Sequence, residues 1–313
     1  MLARLAAIPG LHVSENVPLR ELTRFAVGGP ARVLADASTE AALAQALAAI
    51  RAAGWPYALI GGGTNLIASD DGFPGVLLRY TAAGIRMEGA HVTVESGALL
   101  QDLVDASIGR GLRGLETMTG IPGWAGGAVY GNAGAYGRSI HQSIECVRYF
   151  DGLEFREIPN AQCDFRYRES VFKANKSWIV TAVILRLARA DPAELRTTAD
   201  KILKIRNEKY PPSLRCAGSI FKNLMLNEIP EPVRLRVPEK VIREGKVPSA
   251  YFLELAGAKG LANGPIRVAD YHANLIYNSG GGAARQVREM IGFLKRRVWE
   301  AYGLRLEEEV QYL

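Results

Sequence analysis

The amino-acid sequence predicts a protein of mixed α and β structure that is built from more than one compact unit. Stretches with apolar residues at helical spacing alternate along the chain with short runs rich in β-branched residues. With 313 residues, of which 48% are hydrophobic and 22% charged, the chain is long enough for a large core and for two or three units. Glycine and proline separate these stretches and indicate where each element ends.

The first third of the chain predicts an alternation of helices and strands. Residues 41–54 are rich in Ala and Leu, follow Thr39 and Glu40, and end at glycine, which predicts a helix. A short apolar strand, 57–60, then leads directly into a glycine-rich loop. Further strands are expected at residues 76–79 and 92–96, and a second helix at 99–109.

Residues 109–137 contain glycine so densely that we expect sharp turns and close backbone approaches there rather than a regular element. The apolar residues of this segment are Leu115, Met118, Ile121, Trp124 and Val129. A flexible glycine-rich linker lacks such residues, so we expect the segment to be ordered and packed within a domain.

The second half predicts a hairpin at 143–158 around Asp151 and Gly152, a strand at 178–187 and a helix at 191–209. Prolines end that helix, and we place a domain boundary near Pro211. Near the end of the chain, apolar residues from Val287 to Tyr302 recur at helical spacing, and the sequence becomes extended from Leu304 onward.

Composition favours a soluble cytoplasmic protein without a metal. No apolar run reaches the roughly 18 to 20 residues of a membrane-spanning helix, and the first residues lack the features of a signal peptide. Cys146, Cys163 and Cys216 fit neither a disulfide framework nor a zinc site, and the four histidines have no paired ligand spacing. The net charge of +6 favours anionic ligands, but no dense basic block indicates nucleic acid.

The first candidate binding loop is Gly61-Gly62-Gly63-Thr64-Asn65, which follows a predicted strand. Without side chains, successive backbone N–H groups can converge on a phosphate, which suits a dinucleotide. The loop matches neither a Walker A loop nor the Rossmann fingerprint. Taken alone, a run of three glycines is more often a plain turn.

The second candidate binding segment contains Gly120, Ile121, Pro122, Gly123, Gly126 and Gly127, followed by a glycine-rich stretch at 132–137. These glycines leave room for a flat ring system and its phosphates, although a tightly packed structural loop has the same composition. Two such segments in one chain favour a ligand-binding role.

Taken in order, three motifs resemble the successive signatures of the UDP-N-acetylenolpyruvylglucosamine reductase (MurB) family. They are TRFAVGG at 23–29, GGGTNLIASDDGFPG at 61–75 and GLETMTGIPGWAGGAVYGNAGAYG at 114–137. The resemblance implies an α+β protein with the two-subdomain FAD-binding fold of the vanillyl-alcohol oxidase/PCMH type and a C-terminal α/β substrate domain. The expected parts are residues 1–80 joined by strand 307–313, then 81–210, and then 211–306.

The same resemblance implies an FAD-containing enzyme that reduces UDP-N-acetylglucosamine enolpyruvate with NADPH during peptidoglycan precursor synthesis, with no nucleic acid or membrane partner and as a monomer. It implies that Arg168, in a Tyr-Arg-x-Ser segment, and Glu309, directly before valine, stabilise charge on the substrate carboxylate. It assigns proton donation to Ser219, in Ala-Gly-Ser-Ile-Phe-Lys-Asn. Without the resemblance, Arg168 is more often a surface ion pair, Ser219 a turn or cap, and Glu309 a solvated strand edge.

Further residues follow from the resemblance with less support from their own surroundings. Arg206 is expected near the flavin phosphates, and Tyr167, Lys209, Asn223 and His272 near the phosphates of substrate or NADPH. For His272, a structural histidine is nearly as good an interpretation.

The chain departs from the family pattern at three positions. Thr64 replaces a serine, Trp124 stands where a small hydroxyl residue is usual, and Leu224 stands where proline is usual. Between Arg168 and Ser219 the chain is too short for the substrate-covering loop of the longer family type, so the shorter type is expected.

Two other functions remain open at this point. The glycine loops alone permit an FAD-dependent oxidase or dehydrogenase of the same fold that acts on another substrate. They also permit a nucleotide-binding protein that has lost catalysis. The presence of Arg168, Ser219 and Glu309 together argues against both.

Overall fold

The computed structural model describes residues 2–313, which form two compact units. The first unit holds the chain up to Val17, then Ala31–Gly62 and Phe73–Glu208. The second unit comprises Pro18–Pro30, Gly63–Gly72 and Lys209–Leu313. The finer division of the chain at residues 80, 210 and 306 stays a prediction.

The structure has the following helices and strands. The α-helices are α1 (Leu2–Ala6), α2 (Leu19–Leu22), α3 (Glu40–Ala52), α4 (Leu100–Gly109), α5 (Ala125–Tyr130), α6 (Val171–Ala174), α7 (Pro192–Lys209), α8 (Glu231–Arg234), α9 (Ser249–Leu255) and α10 (Ala284–Tyr302). The strands of the first half are β1 (Leu11–Pro18), β2 (Pro30–Ala37), β3 (Tyr57–Leu59), β4 (Leu66–Ile67), β5 (Phe73–Tyr80), β6 (Ile85–Glu88), β7 (His91–Glu95), β8 (Leu112–Arg113), β9 (Gly134–Ala135), β10 (Arg138–Ser139), β11 (Ile144–Phe150) and β12 (Phe155–Pro159). The later strands are β13 (Ile179–Arg186), β14 (Ala188–Arg189), β15 (Leu224–Met225), β16 (Lys246–Val247), β17 (Ala262–Asn263), β18 (Ile266–Ala269), β19 (His272–Asn278) and β20 (Gln311–Tyr312).

A four-stranded sheet in the order β1-β2-β5-β3 forms one part of the first unit. Strands β2 and β3 both run parallel to β5. Helix α3 begins because the Thr39 side chain accepts a hydrogen bond from the N–H of Ala42 at 3.1 Å. Its buried residues Leu43 and Ile50 share a core with Val76 and Leu78 of β5.

A five-stranded antiparallel sheet in the order β12-β11-β13-β7-β6 forms the other part of the first unit. In the hairpin between β11 and β12, the Asp151 carboxylate accepts hydrogen bonds from the N–H groups of Leu153 and Glu154, at 2.8 and 2.9 Å. This local pairing fixes the turn. Buried residues of α4, α5 and α7 complete the core on this sheet.

The second unit is built on the antiparallel sheet β17-β18-β19 and the long helix α10. The Asp70 carboxylate accepts hydrogen bonds from the N–H groups of Ala284 and Arg285, at 2.7 and 2.9 Å, and so caps the N-terminus of α10. At the other end, Gly303 ends the helix with a φ of 65°. Strand β20 pairs in parallel with β4, which joins two segments far apart in sequence.

The predicted helices and strands are confirmed to within a few residues, including the hairpin and α10. The expectation that 109–137 contains no regular element is wrong, because α5 forms there. One of its two glycines serves close packing, because a methyl group on Gly126 would lie 2.5 Å from Cβ of Ser96. Within residues 2–313, no helix is long and apolar enough to cross a membrane.

Candidate active site

Two of the predicted catalytic residues, Ser219 and Glu309, lie on neighbouring segments of the second unit. The N–H of Glu309 donates to the carbonyl of Ile220 at 2.7 Å, and the N–H of Lys222 donates to the carbonyl of Glu307 at 2.9 Å. These bonds form an antiparallel pair in which the residue after Ser219 contacts Glu309 directly. The backbone alone therefore holds the segment that carries Ser219 against the segment that carries Glu309.

Asn274 of β19 holds the serine-bearing segment from its other side. Its Nδ2 donates to the carbonyl of Phe221 at 2.9 Å and to Oγ of Ser249 at 2.7 Å, and its Oδ1 accepts from the N–H of Phe221 at 2.9 Å. Its own carbonyl accepts from the N–H of Ile220 at 3.1 Å. Asn274 is buried, so these bonds fix the position of Ser219 relative to the sheet.

The three consecutive glutamates differ in their surroundings. Glu307 forms an ion pair with Lys222, and Glu308 forms one with Lys295 at 2.7 Å. Nδ2 of Asn65 donates to the Glu309 carbonyl at 2.9 Å. Asn65 was predicted as a cofactor-binding residue, and in the structure its amide anchors the backbone that carries the predicted catalytic glutamate.

Ser219 is the first of three side chains linked in a row by hydrogen bonds. Its Oγ lies 2.8 Å from the hydroxyl of Tyr210, and that hydroxyl lies 3.3 Å from Nε2 of His272. Nζ of Lys209 lies 5.2 Å from the centre of the Tyr210 ring. Burial, together with the positive charges of Lys209 and Lys259, lowers the pKa of His272 to about 3, so this imidazole is neutral at physiological pH.

Arg168 belongs to the first unit, where it occupies a tight turn. Arg166 and Glu169 exchange two backbone hydrogen bonds of 3.1 Å, and Arg168 between them has a φ of 60°. A positive φ is costly for a residue with a side chain and is common at functional positions. Nη2 of Arg168 donates to the carbonyl of Gly134 at 3.2 Å, while Lys173 pairs with Glu169 at 3.0 Å.

The first glycine loop meets different neighbours at successive residues. A methyl group on Gly62 would lie 3.2 Å from Cδ1 and Nε1 of Trp124, and one on Gly61 would lie 3.9 Å from the same indole. A methyl group on Gly63, which has a φ of 64°, would lie 2.0 Å from the carbonyl oxygen of Leu22. Packing within the chain therefore requires glycine at Gly63, whereas Gly61 and Gly62 face an aromatic ring.

The second glycine segment combines close packing with open space. Gly120 has a φ of 75°, its N–H donates to Gln101 at 2.7 Å, and a methyl group there would lie 3.3 Å from Cδ and Nε of Arg206. In the described part of the chain, no atom lies within 4 Å of where a methyl group on Gly127 would be. The hydroxyl of Thr117 is buried and has no hydrogen-bond partner among residues 2–313.

These observations fit a bound dinucleotide in the first unit. A buried hydroxyl without a partner costs free energy, which a polar ligand atom would recover. Glycine backbone facing open space gives a ring or a phosphate the close approach that it needs. The segment that contains Thr117 and Gly127 therefore suits FAD.

Sequence reasoning missed Tyr210, Asn274 and Thr117 as residues of the site. Tyr210 lies in the proline break after α7, where the sequence indicated only a boundary. Asn274 stands two residues after His272 in an apolar strand, and an asparagine in such a strand is the signal that points to a buried hydrogen-bond role.

Comparison with protein families defines the class first. Residues 31–154 match the FAD binding domain family, and residues 210–313 match the C-terminal domain of UDP-N-acetylenolpyruvoylglucosamine reductase. The chain is thus an FAD-binding oxidoreductase with a C-terminal reductase domain.

Whole-chain comparisons define the family. UDP-N-acetylenolpyruvoylglucosamine reductase of Solibacter usitatus is 53% identical over 310 residues and covers 99% of both chains. The Bacillus subtilis enzyme of the same name is 31% identical over 304 residues, covering 96% of this chain and 94% of its own. The crystal structure of the Thermus caldophilus enzyme superposes with a TM-score of 0.75 at 30% identity, over 96% of this chain and 98% of that one. The chain belongs to the UDP-N-acetylenolpyruvoylglucosamine reductase family.

Family membership confirms the resemblance read from the sequence motifs. The expected α+β fold, with an FAD-binding part and a C-terminal substrate domain, is confirmed. FAD as the cofactor is confirmed with it. The roles of individual site residues stay predictions.

Proposed function

We propose that this chain catalyses the NADPH-dependent reduction of UDP-N-acetylglucosamine enolpyruvate to UDP-N-acetylmuramate, using bound FAD, in peptidoglycan precursor synthesis. The observation that carries the proposal is the antiparallel pairing of residues 220–222 with 307–309, which brings together the backbone segments that carry Ser219 and Glu309 in a member of this reductase family. A hydroxyl and a carboxylate carried on paired segments suit a reaction that adds a proton to one carbon while charge builds on a neighbouring group.

Ser219 is the proposed proton donor to C2 of the enolpyruvyl group. Serine is a weak acid in water, but a basic carbanion held against its hydroxyl favours the transfer. The proposed role of Arg168 and Glu309 is to stabilise the charge that develops on the substrate carboxylate, Arg168 by bidentate hydrogen bonds. When bound, FAD supplies the hydride chemistry that these side chains cannot provide.

The residues proposed to hold FAD are those of the two glycine-rich segments together with Arg206. They are Gly61, Gly62, Gly63, Thr64, Asn65, Gly120, Ile121, Pro122, Gly123, Gly126, Gly127 and Arg206. Arg206 supplies a positive charge for a phosphate, and the glycines allow backbone N–H groups to approach one.

The residues proposed to bind substrate or NADPH are Tyr167, Lys209, Asn223 and His272. Lys209 is exposed and suits a phosphate. His272 is neutral at physiological pH, since burial lowers its pKa to about 3, so it contributes hydrogen bonds rather than charge.

Single-turnover kinetics under anaerobic conditions test the proposal. NADPH should bleach the flavin absorbance of the wild-type enzyme, and UDP-N-acetylglucosamine enolpyruvate should restore it. Ser219→Ala should slow the second step by on the order of 10²- to 10⁴-fold and leave the first unchanged. Glu309→Gln should also slow the second step, and Glu300→Gln, on an exposed glutamate of α10 in the same unit, is the matched control.

Two outcomes would contradict the proposal. If Ser219→Ala retained the wild-type rate with FAD bound, serine would not be the proton donor. If many equivalents of NADPH per flavin were oxidised equally fast without the UDP-sugar, or if the flavin were reduced by an alcohol instead, the alternative of an oxidase or dehydrogenase with another substrate would be favoured.

We also propose that the enzyme works in the cytoplasm as a monomer. All three cysteines are free, and Cys163 and Cys216 are buried, which is compatible with a reducing compartment. Light scattering of the FAD-loaded protein at increasing concentration measures the oligomeric state, and a constant mass equal to a dimer would contradict the monomer.

A further inference from the structure

Ser219 has a hydrogen-bond partner that the proposed mechanism does not use. The hydroxyl of Tyr210 lies 2.8 Å from Oγ of Ser219, and either atom can be the donor. On the far side, the same hydroxyl lies 3.3 Å from Nε2 of His272. The rings of Tyr210 and His272 meet edge to face, with their centres 5.9 Å apart. We refer to these two residues as the Tyr210–His272 pair.

The direction of these hydrogen bonds follows from proton counting. A tyrosine hydroxyl carries one proton, so Tyr210 can donate to Ser219 or to His272, but not to both. A neutral imidazole protonated on Nε2 donates to Tyr210, and the tyrosine proton then points to Ser219. His272 is neutral at physiological pH because burial, Lys209 and Lys259 all disfavour its charged form. In this arrangement Oγ of Ser219 accepts from Tyr210 while its own proton points elsewhere.

An accepted hydrogen bond makes a serine a better acid. When the Oγ–H bond breaks and the proton forms the C2–H bond of the product, the negative charge left behind resides on Oγ. A donor already aimed at Oγ stabilises that charge, and hydrogen bonds to charged oxygen are stronger than those to neutral hydroxyls. A proton from water later restores the hydroxyl, so the step balances with one proton taken from solvent.

We propose that Tyr210 is a positioning residue for the protonation step: it orients Ser219 and stabilises the alkoxide that Ser219 becomes, and His272 keeps Tyr210 in the donor role. This inference rests on the proposed function of Ser219 as proton donor. It assigns Tyr210, a residue of the proline break, to the chemistry of the site, and it gives His272 a role toward Tyr210 in addition to any contact with phosphate.

Tyr210→Phe tests the inference, because it removes only the hydroxyl. Anaerobic flavin reoxidation by UDP-N-acetylglucosamine enolpyruvate should slow by about 10- to 100-fold, the usual size of a lost hydrogen bond to a charged group. Flavin reduction by NADPH should keep its wild-type rate. The solvent deuterium isotope effect on reoxidation should increase, since proton donation then limits the step. Tyr277→Phe is the matched control, because Tyr277 is a half-buried tyrosine packed in the same small cluster as Tyr210.

His272 provides a second and independent variant. His272→Leu should also slow reoxidation and raise its isotope effect, whereas His272→Gln, which keeps a side-chain N–H, should recover part of the rate. If Tyr210→Phe does not fold with bound flavin, this pair of variants decides the question by the same measurements.

The outcomes separate this inference from the proposed function. If Ser219→Ala leaves reoxidation unchanged, the proposed role of Ser219 fails. If Ser219→Ala slows reoxidation and Tyr210→Phe does not, only the role of Tyr210 fails. Equal slowing of both half-reactions by Tyr210→Phe, or an unchanged isotope effect, would show a merely structural tyrosine and overturn the inference. Flavin reoxidation in the double variant Ser219→Ala/Tyr210→Phe should be no slower than in Ser219→Ala alone, because Tyr210 acts through Oγ of Ser219.

Discussion

Replacing Asn274 with alanine tests how the serine-bearing segment is held in place. Asn274 is 3% exposed, and its amide makes hydrogen bonds to both backbone groups of Phe221 and to the Ser249 hydroxyl. Alanine removes all of these bonds and leaves the N–H of Phe221 without its acceptor. The carbonyl of Phe221 keeps a contact from Ser249 at 3.3 Å, so it loses less.

The expected loss is about 3 kcal/mol or more. Each buried hydrogen bond contributes about 1 kcal/mol net, and a buried N–H left unpaired adds about 1–3 kcal/mol. A change of about 3 kcal/mol corresponds to roughly a 100-fold change in an equilibrium constant. The free energy that opens the segment 217–223 should fall by this amount, because these bonds break when it opens.

Hydrogen exchange of the FAD-loaded enzyme measures the effect directly. The Phe221 amide should exchange roughly 100-fold faster in Asn274→Ala than in the wild type. Asn227→Ala, on an exposed asparagine of the same unit, is the control and should leave this amide unchanged. If Phe221 exchanges equally in both variants, Asn274 does not hold the segment and the reasoning from its hydrogen bonds is refuted.

Three further predictions concern the first glycine loop and the imidazole of His272. Gly63→Ala should abolish flavin binding, measured as the ratio of visible to ultraviolet absorbance, because the added methyl group would collide with the backbone of Leu22. Gly54→Ala is the control and should bind flavin normally, since Gly54 has nearly the same φ, 65° against 64°, but open space around it. Gly62→Ala should lower flavin affinity by crowding the Trp124 indole, and adding Trp124→Ser should restore it; failure of this rescue would count against the crowding. His272 should lower the free energy of unfolding by at most about 1.4 kcal/mol for each pH unit. This loss should occur as the pH falls from 6.5 toward 3, because in this range the imidazole is protonated in the unfolded chain but not in the folded one. In His272→Gln, the free energy of unfolding measured with urea should depend less on pH over the same range.

The regular elements could be predicted from sequence because their signals are local. The apolar face of helix α10 is visible in the spacing of the apolar residues from Val287 to Val298. The turn between β11 and β12 is visible in the same way, because Asp151, which stabilises it, lies within the turn itself. Helix α5 could not be predicted in the same way. Its glycines lower helix propensity, and only the approach of Gly126 to Ser96 gives them a reason to lie in a helix.

The site was predictable in its parts but not in its internal contacts. Family motifs pointed to Ser219 and Glu309, and the structure pairs their segments. The bond from Asn65 to the Glu309 carbonyl joins residues 244 positions apart, and the contact of Tyr210 with His272 joins residues 62 apart. No period or spacing in a single sequence encodes such side-chain contacts, since they arise only when the tertiary fold is complete.

The pairing of β4 with β20 has a consequence for how the protein folds during its synthesis on the ribosome. Strand β4 pairs with β20, and Asn65 donates to the Glu309 carbonyl, so these contacts cannot form until residues 309–312 have been synthesised. Until then Leu66 and Ile67, two apolar residues that are buried in the folded protein, lack the strand that pairs with them. Translation speed and chaperone supply should therefore affect the yield of this reductase through its second unit.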